Sequence, residues 1–155
     1  MDTRSRGPYK GSPYMVRTRA RSKRYFTPAE ASRVLPLVRA IVREVVDITA
    51  EVKVLAGELG RPRLPGERRE VVEGEIEARR DRLMALRREV DQLGIELKDF
   101  ERGLVDFPAL HHGEEVCICW CFGEDTIAWW HDRRTGFTGR RPIATLETGG
   151  AAAHG

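Results

Sequence analysis

The chain has 155 residues, of which 33% are charged and 41% hydrophobic; that is enough for one domain with a real core and too few for two comfortable ones. No run approaches the ~20 apolar residues of a membrane span, and no apolar segment follows the basic N-terminus as in a signal peptide, so a cytoplasmic protein away from membranes is expected. The formal net charge of +3 hides an asymmetry: residues 1–24 carry eight basic side chains against Asp2 alone, a net +7, leaving −4 for the remainder.

Residues 1–24 hold Gly7, Pro8, Gly11, Ser12 and Pro13 with few apolar residues, the composition of a disordered basic arm. Such an arm can bind nucleic acid weakly and nonspecifically, and Met15 within it is an alternative start. Order is expected from Thr27-Pro28-Ala29-Glu30, where Thr27 and Glu30 can form a capping box, Pro28 suits the first helical position and Phe26 can act as a staple.

Val34, Val38, Ile41, Val45, Ile48, Val52 and Leu55 then recur at alternating steps of four and three, which is a helical period in a run too long for a strand. Pro36 removes one hydrogen bond, so a kink or restart is expected near Ser32. Gly60, Pro62, Pro65 and Gly66 break the chain, and a second helix is expected from Glu67 to Leu93, with Gly94 as its C′ residue. The short link makes the two helices antiparallel, a coiled-coil-like hairpin over 27–93. Leu35, Val42 and Val46 widen the apolar stripe of the first helix beyond a two-helix seam. That surplus must meet a sheet, a second copy of the hairpin, or both, so a homodimer through the helices is expected. Arg79 falls at a seam position, where Glu44 or Asp47 can pair with it.

From Ile95 the period becomes two. Strands are expected at Ile95–Asp99, Gly103–Phe107, Glu115–Phe122 and Thr126–His131, a four-stranded antiparallel meander over 95–132. A glycine- and arginine-punctuated loop follows over 133–143, then a flexible tail over 144–155. The fold class is therefore α+β, with a single domain over 25–143.

All three cysteines and all three tryptophans fall within residues 115–131. Alternation puts Val116, Ile118, Trp120 and Phe122 on one face of a strand and Cys117, Cys119 and Cys121 on the other. With Gly123-Glu124-Asp125 as the turn, Trp120 pairs with Ala128, Cys119 with Trp129 and Cys117 with His131; a slip of one residue would reverse every later face. Thiols at alternate positions do not bridge readily, and they do not converge on one ion as a Cys-x-x-Cys knuckle does. Reduced thiols packed inward are expected. Cys117 beside His131 could form a nucleophile–base pair or half a metal site, with His111 as a third ligand. No motif implies a cofactor. Glu96, Lys98 and Asp106 are ionisable groups on the first strands, and with His131 they could line a shallow pocket. Trp129 and Trp130 put one indole on each face, and Arg140 lies in a loop able to hold an anion.

The segments Gly94-Ile95-Glu96-Leu97-Lys98-Asp99 and Arg102-Gly103-Leu104-Val105-Asp106-Phe107-Pro108, with Cys119-Trp120, Trp130-His131, Gly136-Phe137 and Gly139-Arg140, resemble a family of small prokaryotic proteins catalogued as domain of unknown function 2203. Tyr25-Phe26-Thr27 and Leu35-Pro36 resemble that family's helix start. The resemblance spans roughly residues 25–143; Cys117 and Cys121 are not part of the pattern. It implies the domain limits, carries no activity across, and directs attention to Lys98, Asp106, Trp130, His131 and Arg140. The leading functional expectation is a non-enzymatic interaction or assembly module that acts as a homodimer and can take a protein partner. Two alternatives are a small-molecule or metal site, open to catalysis, around Lys98, Asp106, His131 and Arg140, and nucleic-acid association through residues 1–24.

Overall fold

A computed structural model describes residues 23–149. The capping box forms as the sequence requires: the Glu30 amide donates to Thr27 Oγ1 at 3.1 Å, and the Thr27 amide donates to Glu30 Oε1 at 3.0 Å. These bonds satisfy two of the orphan amides at the start of helix α1, Pro28–Leu59. The helix continues through Pro36 without a restart, because a third-turn proline costs one backbone bond while the buried face on either side of it, Ala31, Leu35, Val38 and Ile41, keeps the register. Helix α2 spans Gly66–Gln92, and Gly94 then reverses the chain at φ +82°. At about 1.5 Å per residue the two helices are roughly 48 and 40 Å long.

Arg68–Glu58, Arg79–Glu51 and Arg82–Glu44 step along the antiparallel seam. Arg79 therefore pairs with Glu51 at 2.8 Å rather than with Glu44 or Asp47. Antiparallel register brings Glu44 opposite Arg82, one turn further along α2.

The sheet contains five antiparallel strands in chain order: β1 Glu96–Asp99, β2 Leu104–His111, β3 Glu114–Cys121, β4 Trp129–Asp132 and β5 Arg141–Pro142. The meander is as expected, with one strand more: Arg141–Pro142, expected as loop, pairs with Trp129 and Trp130. β2 also runs on through Pro108. Pro108 turns its missing N–H away from β3, to the side where β1 has already ended, and there its carbonyl accepts from the Phe26 amide at 2.7 Å. Cys117 pairs with His131, Ile118 with Trp130 and Cys119 with Trp129, the register anticipated from a turn at Gly123–Asp125.

Leu97, Val105, Phe107, Ala109, Val116, Ile118, Trp120 and Trp130 form the inner sheet face. They pack on Phe26, Leu35, Val38, Val42, Val45, Leu83, Leu86 and Val90 of the hairpin in one core. Val72 and Ile76 are buried in the helix–helix seam but lie outside that core, so the tip half of the hairpin has mainly its partner helix for cover. The cysteines occupy the opposite, outer face. This corrects the expectation of inward packing: alternation fixed their common side, but the larger Val, Ile and Trp set took the helices. Residues 144–147, expected at the start of a tail, are packed. Leu146 is buried, Thr145 Oγ1 accepts from Trp130 Nε1 at 2.9 Å, and the Glu147 amide donates to His111 Nδ1. No described helix is long and apolar enough to cross a membrane.

Candidate metal centre on the outer sheet face

The outer face acquires its own cover from the segment after β4. Asp132 accepts from the amides of Arg134 and Thr135 and from Thr135 Oγ1, at 2.8–3.0 Å. This side-chain-to-backbone turn sends the chain back over the sheet. Gly136, at φ +62°, opens a single 3-10 turn, Gly136–Gly139, which sets Phe137 between the guanidinium groups of Arg102 and Arg140, 4.8 and 4.5 Å from its ring centroid.

Arg140 anchors the returning chain. Its fork donates to both Glu124 oxygens, at 2.6 and 2.8 Å, and to the Cys119 carbonyl at 3.2 Å. Burial alone would raise the Glu124 carboxyl, but Arg140 and the Cys121 amide outweigh it and hold it below the usual carboxylate range. Arg140 also lies over Trp129, 5.4 Å from that ring's centroid, so Trp129 and Cys119 are roofed although they face away from the helices.

Between this roof and the sheet lies a pocket of about 140 Å³. Glu96 and Lys98 reach it from β1, Leu104 and Asp106 from β2, Cys117 from β3 and His131 from β4; Arg133, Gly136 and Phe137 form the remaining wall. Four residues singled out from the sequence, Glu96, Lys98, Asp106 and His131, thus line one concavity. Trp130 does not, because its parity places it in the core, 1% exposed, beside His111 and Thr145. His111 lies on the inner side, its ring 4.5 Å from that of Trp130, and is no partner for Cys117. Arg140 supports the roof rather than lining the pocket. Leu104, Arg133 and Phe137 were not singled out as site residues from the sequence. A lone arginine and a lone phenylalanine in a loop carry no periodic signal, and only the fold of the 3-10 turn brings them to the sheet.

The buried heart of the pocket is Asp106 and His131, each 4% exposed. A backbone carbonyl can only accept, so the 2.7 Å contact from His131 Nδ1 to Asp132 O fixes a proton on Nδ1. Nε2, left to face Asp106 Oδ1 at 3.2 Å, can then share either a proton or a cation with the carboxyl group. Hydrogen bonding to Asp106, then to Cys119, raises the imidazole to about 10, so His131 is an imidazolium in the metal-free protein. Burial, followed by the Asp106 charge, pushes the Cys117 thiol up to about 12. That is the reverse of what a nucleophilic thiol at neutral pH requires, and it argues against the nucleophile–base pair. The ligand-capable atoms of Asp106, Cys117 and His131 lie within 4.8 Å of one another.

Fold and site together define a class: a helical hairpin laid on an antiparallel meander, with an N/O/S donor set on the sheet face away from the helices. The family described as uncharacterized conserved protein (DUF2203) matches residues 24–143, and the chain belongs to it. No curated protein and no solved structure matches the chain. The basic arm expected over residues 1–24 lies outside the described residues except for Lys23 and Arg24. Lys23 pairs with Glu115, and Arg24 covers Phe26 with its guanidinium 4.2 Å from the ring centroid.

Proposed function

We propose that the protein binds a divalent transition-metal ion of the zinc class through Asp106, Cys117 and His131. The observation that carries the reading is the convergence of three donors of three chemistries on a buried spot, within 4.8 Å of one another, with His131 Nδ1 committed to a carbonyl. That commitment directs Nε2 at the site, the usual outer support of a ligating histidine. A mixed N/O/S set selects zinc-like ions over magnesium or calcium, and a dication between the donors reverses the forces that keep Cys117 protonated. Three protein ligands leave one coordination position for water or a ligand. A thiolate ligand suits the reducing cytoplasm.

Titration of metal-free protein with Co²⁺ tests this directly. One equivalent should bind, with a thiolate-to-cobalt charge-transfer band that Zn²⁺ displaces. Cys117→Ser should abolish the band and weaken binding by at least about a hundredfold, more than the loss of an outer-shell partner costs. No saturable band, or an unchanged one in Cys117→Ser, sinks the proposal.

A second reading, a self-association module, is favoured by a different observation. Leu37, Val54, Val71 and Met84 are exposed on the helices, and Val54 borders a shallow groove with Ala50, Leu55 and Arg79 near the hairpin tip. The two readings are compatible, since the hairpin and the outer sheet face are separate surfaces.

A further inference from the structure

The pocket continues past the three donors, and its outer wall has a composition of its own. Lys98 and Arg133 bring cationic groups to it, while Leu104 and Phe137 bring apolar surface. Both cations have acidic neighbours, loosely for Lys98 and closely, at 2.5 Å, for Arg133. Lys98 meets Glu96 at 3.5 Å with both side chains about half exposed, a pairing worth little in water that leaves the remaining ammonium donors free. Arg133 uses one nitrogen on Glu115, and its fork has further donors.

The space of about 140 Å³ is close to the ~150 Å³ cavity that takes a benzene-sized molecule, room for a handful of non-hydrogen atoms. A guanidinium and an ammonium recognise an oxyanion. The flanking leucine and phenylalanine favour one with an apolar carbon portion over a bare inorganic anion.

Resting on the metal-site reading above, we infer that the open coordination position takes a small organic carboxylate of two to four carbons, held by Lys98 and Arg133 with its carbon portion against Leu104 and Phe137. Metal and cations act on the same end of the ligand: one carboxylate oxygen completes the coordination sphere and the other accepts from the side chains. The Gly136–Gly139 turn, anchored through Arg140, then works as a fixed wall that sets ligand length.

The test is a second titration on the Co²⁺-loaded full chain, with propionate and lactate as probes and inorganic phosphate for comparison. Either carboxylate should shift the visible cobalt bands saturably. Lys98→Gln should weaken that titration about tenfold, the loss expected for one charge-assisted hydrogen bond, while the thiolate–cobalt band persists. Phe137→Ala should weaken propionate without restoring any preference for phosphate. Cobalt bands that ignore all three anions overturn the carboxylate assignment and leave the metal site standing. A response to phosphate alone overturns the organic class. Failure to bind Co²⁺ at all defeats the metal reading itself, and this inference with it.

Discussion

Asp106 and His131 are the only polar or charged side chains among the buried residues of the described chain, and each satisfies the other at 3.2 Å. Removing Asp106 leaves the His131 imidazolium without its buried partner, a loss of about 3 kcal/mol, the lower end for a broken buried pair because the site opens onto a pocket. Asp106→Ala should therefore destabilise the metal-free protein by about that much, read as a lower urea midpoint at unchanged slope, whereas Cys117→Ala, which deletes a half-buried thiol, should cost no more than about 1 kcal/mol. Equal small losses at both positions would mean that the ion pair is solvated in solution. The contrast between neighbours is also one of residue scale. Trp130 and His131 are adjacent in sequence, yet one fills the core and the other a site. Alternation made them opposites from the sequence alone, but it could not say which side the hairpin would cover.

Gly103 shows how an element boundary is set by space as well as by dihedral angle. It stands between β1 and β2 at φ +72°, and a Cβ there would lie 2.7 Å from Phe122 Cβ and 2.8 Å from methyl groups of Val42 and Val46. Gly113, in the next turn, has φ +82° and open space. Alanine at Gly113 meets only the left-handed penalty, about 1–2 kcal/mol. Alanine at Gly103 adds a clash that the α1–sheet interface must open to relieve, so its cost should exceed that of Gly113→Ala by at least ~1 kcal/mol in paired denaturation curves. Matching costs would show that α1 yields there without loss. Both helices, the capping box, the Gly94 reversal and the strand register were legible because each is written in local chemistry or short-range periodicity. β5 was not, since two residues carry no period and Arg141–Pro142 becomes a strand only by pairing with Trp129 and Trp130.

For the molecule as a whole, the uneven cover of the hairpin bears on assembly. The half near the sheet is buried on two sides, whereas the tip half leaves Val54 74% exposed. If the tips associate, light scattering should give twice the monomer mass, and Val54→Asp should return it to the monomer with the cobalt titration unaltered. A monomer at every concentration up to the millimolar range removes the dimer. What the sequence determined by itself was everything that depends on near neighbours: an α+β chain, its helical hairpin, an antiparallel meander and two faces of fixed parity. The tertiary structure alone decided which face meets the helices, and it folded residues 132–142 back over the other. The reason is physical. Parity and propensity are properties of a few consecutive residues, but a pocket needs Glu96, Asp106, Cys117, His131 and Phe137 together, and those five meet only after separate strands and a returning loop are packed against one another.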